Sequence, residues 1–211
     1  MRSQGSRKRP APRAYHHGDL KEALIEAGEE ILRGNGPEAL TLREVARRVG
    51  VSQAAPYRHF KDRRELVAAV AERGFTRLGE AMHRAMGSAG GRPGLRHVAE
   101  AYVEFGLRNP AEYRVMFGPE VAVTDDLPSL RETGRSVLGF VAEGLAQLQK
   151  AGLVGAGDPW LMAVAIWSTL HGLVMLSLDG QTSDIAPNVD ELVQEATRIM
   201  MFGMAPRAAN S

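Results

Sequence analysis

The chain has 211 residues, 44% of them hydrophobic and none of them cysteine. That length holds one large or two small domains with a substantial core, while the lack of cysteine excludes disulfides and thiolate metal sites and points to a reducing cytoplasm. The net charge is only +1, but residues 1–74 carry 15 Lys/Arg against 10 Asp/Glu and residues 75–211 carry 11 against 15, so the N-terminal third alone is suited to a polyanion. The first fourteen residues contain Arg2, Arg7, Lys8, Arg9 and Arg13, no acid and no apolar run. They predict a disordered basic arm over 1–15 rather than a secretory signal. Such an arm either follows a DNA backbone, lies in a minor groove or is merely solvated. His16 and His17 have no third ligand near them, so no metal site is expected.

Glycine, proline and short polar runs divide the rest into helical segments, and strand-like alternation is scarce, which predicts an all-α fold. The first helix is expected from about Gly18 to Arg33, opened by Asp19 and Glu22 and carrying an apolar face of Leu20, Ala23, Leu24, Ala27 and Ile31. Thr41 and Glu44 form a capping box for the next helix. Its stripe is Leu42, Val45, Ala46 and Val49, and Gly50 sits where a left-handed terminator is wanted. Val51 is placed to plug the core, and Ser52 to cap a short helix from Gln53 to Phe60. Pro56 falls in the first turn of that helix and removes its first intrahelical bond. Asp62 and Glu65 make a second capping box and open a long helix to about Met86, with Gly74 and Gly79 as local weak points.

Cap, glycine turn and cap at this spacing predict a helix-turn-helix, whose second helix can enter the major groove of DNA. The alternative is a solvated basic face on a small bundle. Gln53 can pair bidentately with adenine and Arg43 with guanine. Tyr57, Arg58, His59, Lys61 and Arg63 can hold phosphates and set register. The candidate DNA-contacting set is Thr41, Arg43, Ser52, Gln53, Ala54, Tyr57, His59, Lys61 and Arg63.

Beyond the glycine-rich breaker at 87–94, which lacks the strand and the Gly-Lys-Ser/Thr of a phosphate loop, a helix is expected from Leu95 to Arg108. One or two turns follow over Ala111–Phe117, then a loop over Gly118–Pro128 and a helix over Ser129–Lys150. Asp158 and Pro159 start a helix whose span from Trp160 to Leu178 is apolar on nearly every side. Ser168, Thr169 and His171 near its middle, and no basic anchors at its ends, favour burial against a partner subunit over a membrane span. The last helix is expected from Pro187 to Phe202, ended by Gly203, and the two final helices together predict a homodimer interface. No nucleophile elbow, metal-spaced cluster or dinucleotide fingerprint is present, so neither an enzyme nor a cofactor is expected.

Residues Asp19 to Gly74 resemble the N-terminal domain of the TetR/AcrR family of bacterial regulators, through LKEALIEAGEEIL, TLREVARRVGVS and YRHFKDRREL. The resemblance implies base contacts at the positions of Gln53 and Arg43. It implies phosphate contact or bracing at Thr41, Tyr57, His59 and Lys61, and it places an apolar residue such as Leu where this chain has Pro56. NPAEYRVMFG at 109–118 and WSTLHGLV, with Trp167, His171 and Gly172, resemble a TetR subset named for its Trp-His-Gly signature. That likeness implies a helical, dimerising, ligand-responsive domain over 75–211, after a DNA-binding domain over 16–74. Candidate ligand-binding residues are Tyr102, Phe105, Arg108, Tyr113, Phe117, Trp167 and His171, with Met116 beside them, although a core histidine bonded to a nearby carbonyl or carboxylate is the first expectation for His171. The expected protein is a dimeric repressor on an inverted-repeat operator, released by a small molecule. A ligand-independent regulator or activator with a filled core, and a helical small-molecule-binding protein that does not bind DNA, are the alternatives.

Overall fold

Burial of apolar helix faces organises the chain, and a computed structural model describes residues 17–87, 94–122, 125–185 and 188–205, with the side chains of 17–19 excepted. The basic arm, the His16–His17 pair, the side chain of Asp19 and the expected helix start at Pro187 lie outside the described residues. Among the described residues there are nine α-helices and no strand. The chain divides into two compact units, Met1–Leu66 and Val67–Ser211, a boundary earlier than the one expected at 74.

In the first unit α1 (His17–Asn35) packs on α2 (Leu42–Val49). The spacing that puts Leu24, Ile31 and Leu32 on one side of α1 leaves all three almost wholly inaccessible, as are Val45 and Ala46 of α2. The Glu44 N–H donates to Thr41 Oγ1 at 3.2 Å. The reciprocal half of that capping box does not form, because both Glu44 oxygens accept from the Arg47 guanidinium instead. Gly50 ends α2 at φ 80° and ψ 29°, a left-handed conformation that favours glycine. The Gly50 and Val51 N–H groups both donate to the Ala46 carbonyl at 3.0 Å.

α3 (Arg63–Gly87) starts from the second capping box. The Glu65 N–H donates to Asp62 Oδ1 at 3.0 Å, and the Glu65 carboxylate reaches one residue further back than expected, accepting from the Lys61 N–H at 2.6 Å. The helix runs unbroken through Gly74 and Gly79. Gly74 is a notch rather than a weak point: a Cβ there would lie 2.5 Å from Met116 Sδ and 2.8 Å from Glu112 Oε1. The buried Glu112 carboxylate is paired with Arg77 at the same place.

The rest of the second unit comprises α4 (Leu95–Arg108), α5 (Pro110–Met116), α6 (Pro119–Ala122), α7 (Pro128–Lys150), α8 (Pro159–Leu178) and α9 (Val189–Gly203). The short α6 lies in the stretch expected to be a loop, and its Val121 is buried, which gives the turn an apolar anchor. α8 packs on α4, α7 and α9. At Gly106 of α4 a Cβ would lie 2.6 Å from Val174 Cγ1, so α4 and α8 approach as closely as glycine permits. Asp158 caps α8 by accepting from the Trp160 N–H at 2.8 Å, with Pro159 in the first turn. Asn188 caps α9, and Gly203 is its last helical residue, one position later than the expected end. By length and composition α8 can cross a membrane, with a mean hydropathy of 1.8, yet only 22% of that stretch is buried in the isolated chain.

Candidate functional site

The segment after Gly50 departs from the expected α-helix. The Ala55 N–H donates to the Ser52 carbonyl at 3.0 Å, and a single 3-10 turn follows over Pro56–Arg58. Pro56 supplies the reason: it has no N–H to donate back to Ser52, so the first α-type bond cannot form and the chain takes two tighter turns. Pro56 is also buried, with Phe60, while Val51 is only half-buried. The residue that breaks the helix is therefore more buried than Val51, which was expected to plug the core.

Those turns still present a polar surface. Ser52, Gln53, Ala54, Arg58 and Lys61 are exposed, and Tyr57 is 56% exposed, a large ring held in water. Arg43 is exposed on α2, and among the described residues Arg43, Arg58 and Lys61 form no ion pair. Arg47 and Arg48, by contrast, are engaged by Glu44 and Glu30. Thr41 braces the start of α2. Two expected contacts have other roles: Arg63 donates to the Leu40 and Pro37 carbonyls, each at 2.8 Å, and so ties α3 to the loop before α2. His59 is half-buried, and its Nε2 is inaccessible and has no hydrogen-bond partner, so that nitrogen faces into the fold rather than toward a phosphate.

The second unit holds a cavity of about 660 Å³. Its walls come from α3 (Phe75, Leu78, Met82), α4 (Leu95, Val98, Ala99, Tyr102), α7 and α8, with Met116, Phe117 and residues of α9. Of the expected residues Tyr102, Met116, Phe117, Trp167 and His171 line it. Three expected residues do not. Arg108 is exposed and paired with Glu104 at 2.7 Å, Phe105 is buried away from the cavity, and Tyr113 is fully buried behind the wall. Sequence reading passed over Arg131 and Arg135 of α7, whose four-residue spacing with Leu138 further along the helix was an available signal.

Tyr113 joins the polar members of the wall. Trp167 Nε1–H donates to Tyr102 Oη at 3.0 Å, Tyr102 Oη lies 2.7 Å from Tyr113 Oη, and Tyr113 Oη lies 2.7 Å from His171 Nδ1. An indole N–H only donates, so Tyr102 accepts from it. The arrangement that uses every hydroxyl hydrogen then runs from Tyr102 to Tyr113 to His171 Nδ1, leaving the proton of a neutral imidazole on Nε2 as a donor. Burial holds the Tyr102 phenol up at about 12 and pushes the Tyr113 phenol higher still, so both stay protonated. Burial also lowers the His171 pKa, which favours the neutral ring that accepts from Tyr113. Rings pack around this chain, with Tyr113 stacked on His171 at a centroid distance of 5.5 Å and Phe117 meeting His171 edge-on at 4.7 Å.

That lowered pKa has a consequence for stability. The folded state binds the His171 proton less readily than the unfolded chain, whose value is 6.5, so stability is complete above that pH and falls as pH drops below it. Thermal melts on either side of that pH are expected to show a fall in Tm for the wild type that is shallower in His171→Gln; parallel curves would mean the ring does not titrate in this way.

A helix-turn-helix with an exposed amide, a phenol and cations that form no ion pair among the described residues, on a chain whose described second unit is all-helical and holds a cavity, defines a DNA-binding regulator. Comparison with known proteins gives its family. Residues 24–70 match the model of bacterial regulatory proteins of the tetR family, and residues 95–200 match the tetracyclin repressor-like C-terminal domain. The chain is 34% identical, with a TM-score of 0.80, to a solved protein of unknown function from Rhodococcus sp. RHA1, over 92% of this chain and 99% of that one. It is 25% identical to an HTH-type transcriptional regulator of Mycobacterium tuberculosis over 87% of this chain and 76% of that protein. Over 25% of this chain it is 48% identical to the tetracycline repressor protein class C of Escherichia coli, spanning only 24% of that repressor. The chain belongs to the TetR family of transcriptional regulators.

Proposed function

We propose that this regulator is a repressor that binds an inverted-repeat operator as a homodimer in the cytoplasm and is released by a small molecule held in the cavity of its second unit. The observation that carries the ligand response is the cavity itself, a mostly apolar chamber of about 660 Å³ with a directed chain of hydrogen bonds ending on its wall at His171. That volume lies within the roughly 300–1,000 Å³ usual for small-molecule sites. In this reading Gln53 and Arg43 read bases, and Tyr57, Arg58 and Lys61 hold phosphates. A released state requires that the ligand bind two conformations of the protein unequally. In this reading α3 carries the change; what supports it is that the helix runs unbroken from Arg63 to Gly87 and that its Gly74 and Arg77 meet Met116 and Glu112 of α5, whose neighbouring residue Phe117 lines the cavity.

The test is fluorescence anisotropy with a duplex containing the inverted repeat near the chain's own gene, at several salt concentrations and against random duplex. Specific binding is expected to survive the competitor, whereas purely electrostatic binding is not. Tyr57→Ala is expected to weaken binding to every duplex, while Gln53→Ala also narrows the gap between operator and random DNA by about 1–3 kcal/mol per half-site. Equal wild-type affinity for all sequences would sink this reading.

A further inference from the structure

We infer that the cavity selects an apolar molecule bearing a carboxylate, with the carboxylate held at the rim by Arg135. This rests on the reading of the cavity as the effector site and adds the chemical class of the effector.

The ionisable groups on the cavity wall are Arg131, Arg135, Tyr102 and His171, and no Asp, Glu or Lys is among the lining residues. A cationic ligand would find no counter-charge there. Burial keeps Tyr102 and His171 uncharged, so the fixed charge of the wall is the two guanidinium groups. They differ in occupation. Arg131 pairs with Asp125 at 3.3 Å, whereas Arg135 has no carboxylate partner among the described residues. Its guanidinium instead lies 4.7 Å from the centroid of the Trp160 ring, and Trp160 is itself part of the cavity wall. The ring face holds the planar cation in place while its N–H edges stay open to a bidentate acceptor.

Position supplies the rest of the argument. Both arginines are exposed as well as lining, so they stand where the cavity meets water. A carboxylate bound there keeps part of its hydration and avoids the cost of burying a charge. The remaining wall, with Leu78, Val98, Leu138, Ile166 and Leu170, accepts a hydrocarbon body. Charged end outward and apolar body inward is the orientation that this distribution of side chains stabilises.

Both tryptophans of the chain, Trp160 and Trp167, line the cavity, so intrinsic fluorescence of the full-length protein reports occupancy directly. The probes are dodecanoate, dodecanol and dodecylamine, used below their micelle concentrations at a pH where the amine is charged. Dodecanoate is expected to bind about fivefold more tightly than dodecanol, and dodecylamine more weakly than either, as befits a rim-exposed ion pair of about 1 kcal/mol. Arg135→Gln is expected to bring dodecanoate to the level of dodecanol while leaving dodecanol within about twofold of wild type; Arg135→Lys keeps part of the preference. Dodecanol binding as tightly as dodecanoate in the wild type, or a preference unchanged in Arg135→Gln, overturns the assignment and leaves the cavity standing as an apolar effector site. Failure of all three probes to bind overturns both.

Discussion

Arg63→Ala is expected to destabilise the DNA-binding head by about 3 kcal/mol, because it removes two charge-assisted hydrogen bonds, each worth about 1.5–3 kcal/mol. The guanidinium donates to the carbonyls of Leu40 and Pro37, 23 and 26 residues earlier in the chain. Those carbonyls belong to the first residue and the C-cap of the 3-10 turn Pro37–Ala39, and Leu40, between that turn and α2, has no accessible surface. Removing Arg63 therefore loosens the loop that sets the start of α2 as well as the start of α3. A residue whose only role is DNA contact would behave differently. Arg43 is such a control: it is exposed and forms no ion pair among the described residues, so Arg43→Ala is expected to leave stability within about 0.5 kcal/mol while weakening operator binding. Denaturant unfolding followed by circular dichroism separates the two. If Arg63→Ala melts like the wild type and loses only DNA affinity, the structural role assigned to Arg63 is wrong.

Arg63 also shows what the sequence could and could not convey. Periodicity placed the long helices to within a few residues, because Leu24, Ile31 and Val45 recur where a helix needs a buried face, and each is wholly buried. Capping signals at Thr41, Asp62, Asp158 and Gly50 were legible because each acts within four residues of itself. Partners distant in sequence were not legible. Nothing local says that Arg63 turns back to Pro37, 26 residues earlier; the Glu44–Arg47 pair is local, at i,i+3, but it competes with an equally local bond to the Thr41 N–H, and spacing alone does not choose between them. Pro56 was read correctly as a lost bond but not as a buried plug, since burial depends on what closes over it. The same limit governs the cavity. Trp167 and His171 share a face at a four-residue spacing and both line it, whereas Arg108, at the end of an amphipathic helix, pairs outward with Glu104.

The second large effect concerns the surface that an isolated chain leaves uncovered. α8 carries no Asp, Glu, Lys or Arg, and Leu161 and Leu176 are 70% and 44% exposed on it. The adjoining α9 presents Ile199 and Phe202 at 57% and 81% exposure. At about 25 cal/mol per Å² of apolar area, leaving these side chains in water forgoes several kcal/mol that a second copy of the chain would supply. Gly172, in the middle of α8, points to the same cover. A Cβ there would meet nothing of its own chain, yet glycine inside a helix costs about 1 kcal/mol relative to alanine, which suits close approach by something outside the chain. Leu161→Glu and Phe202→Glu are therefore expected to leave the isolated fold intact, since both sites are exposed there, and to raise the dissociation constant of the proposed homodimer at least about 100-fold by burying an unpaired carboxylate where α8 and α9 are proposed to meet their copies. Sedimentation equilibrium should then find monomers where the wild type is dimeric, and operator affinity should fall to that of a single half-site. Variants that remain dimeric would move the interface away from α8 and α9, and a wild type that is monomeric at micromolar concentration would leave the paired DNA heads without a basis.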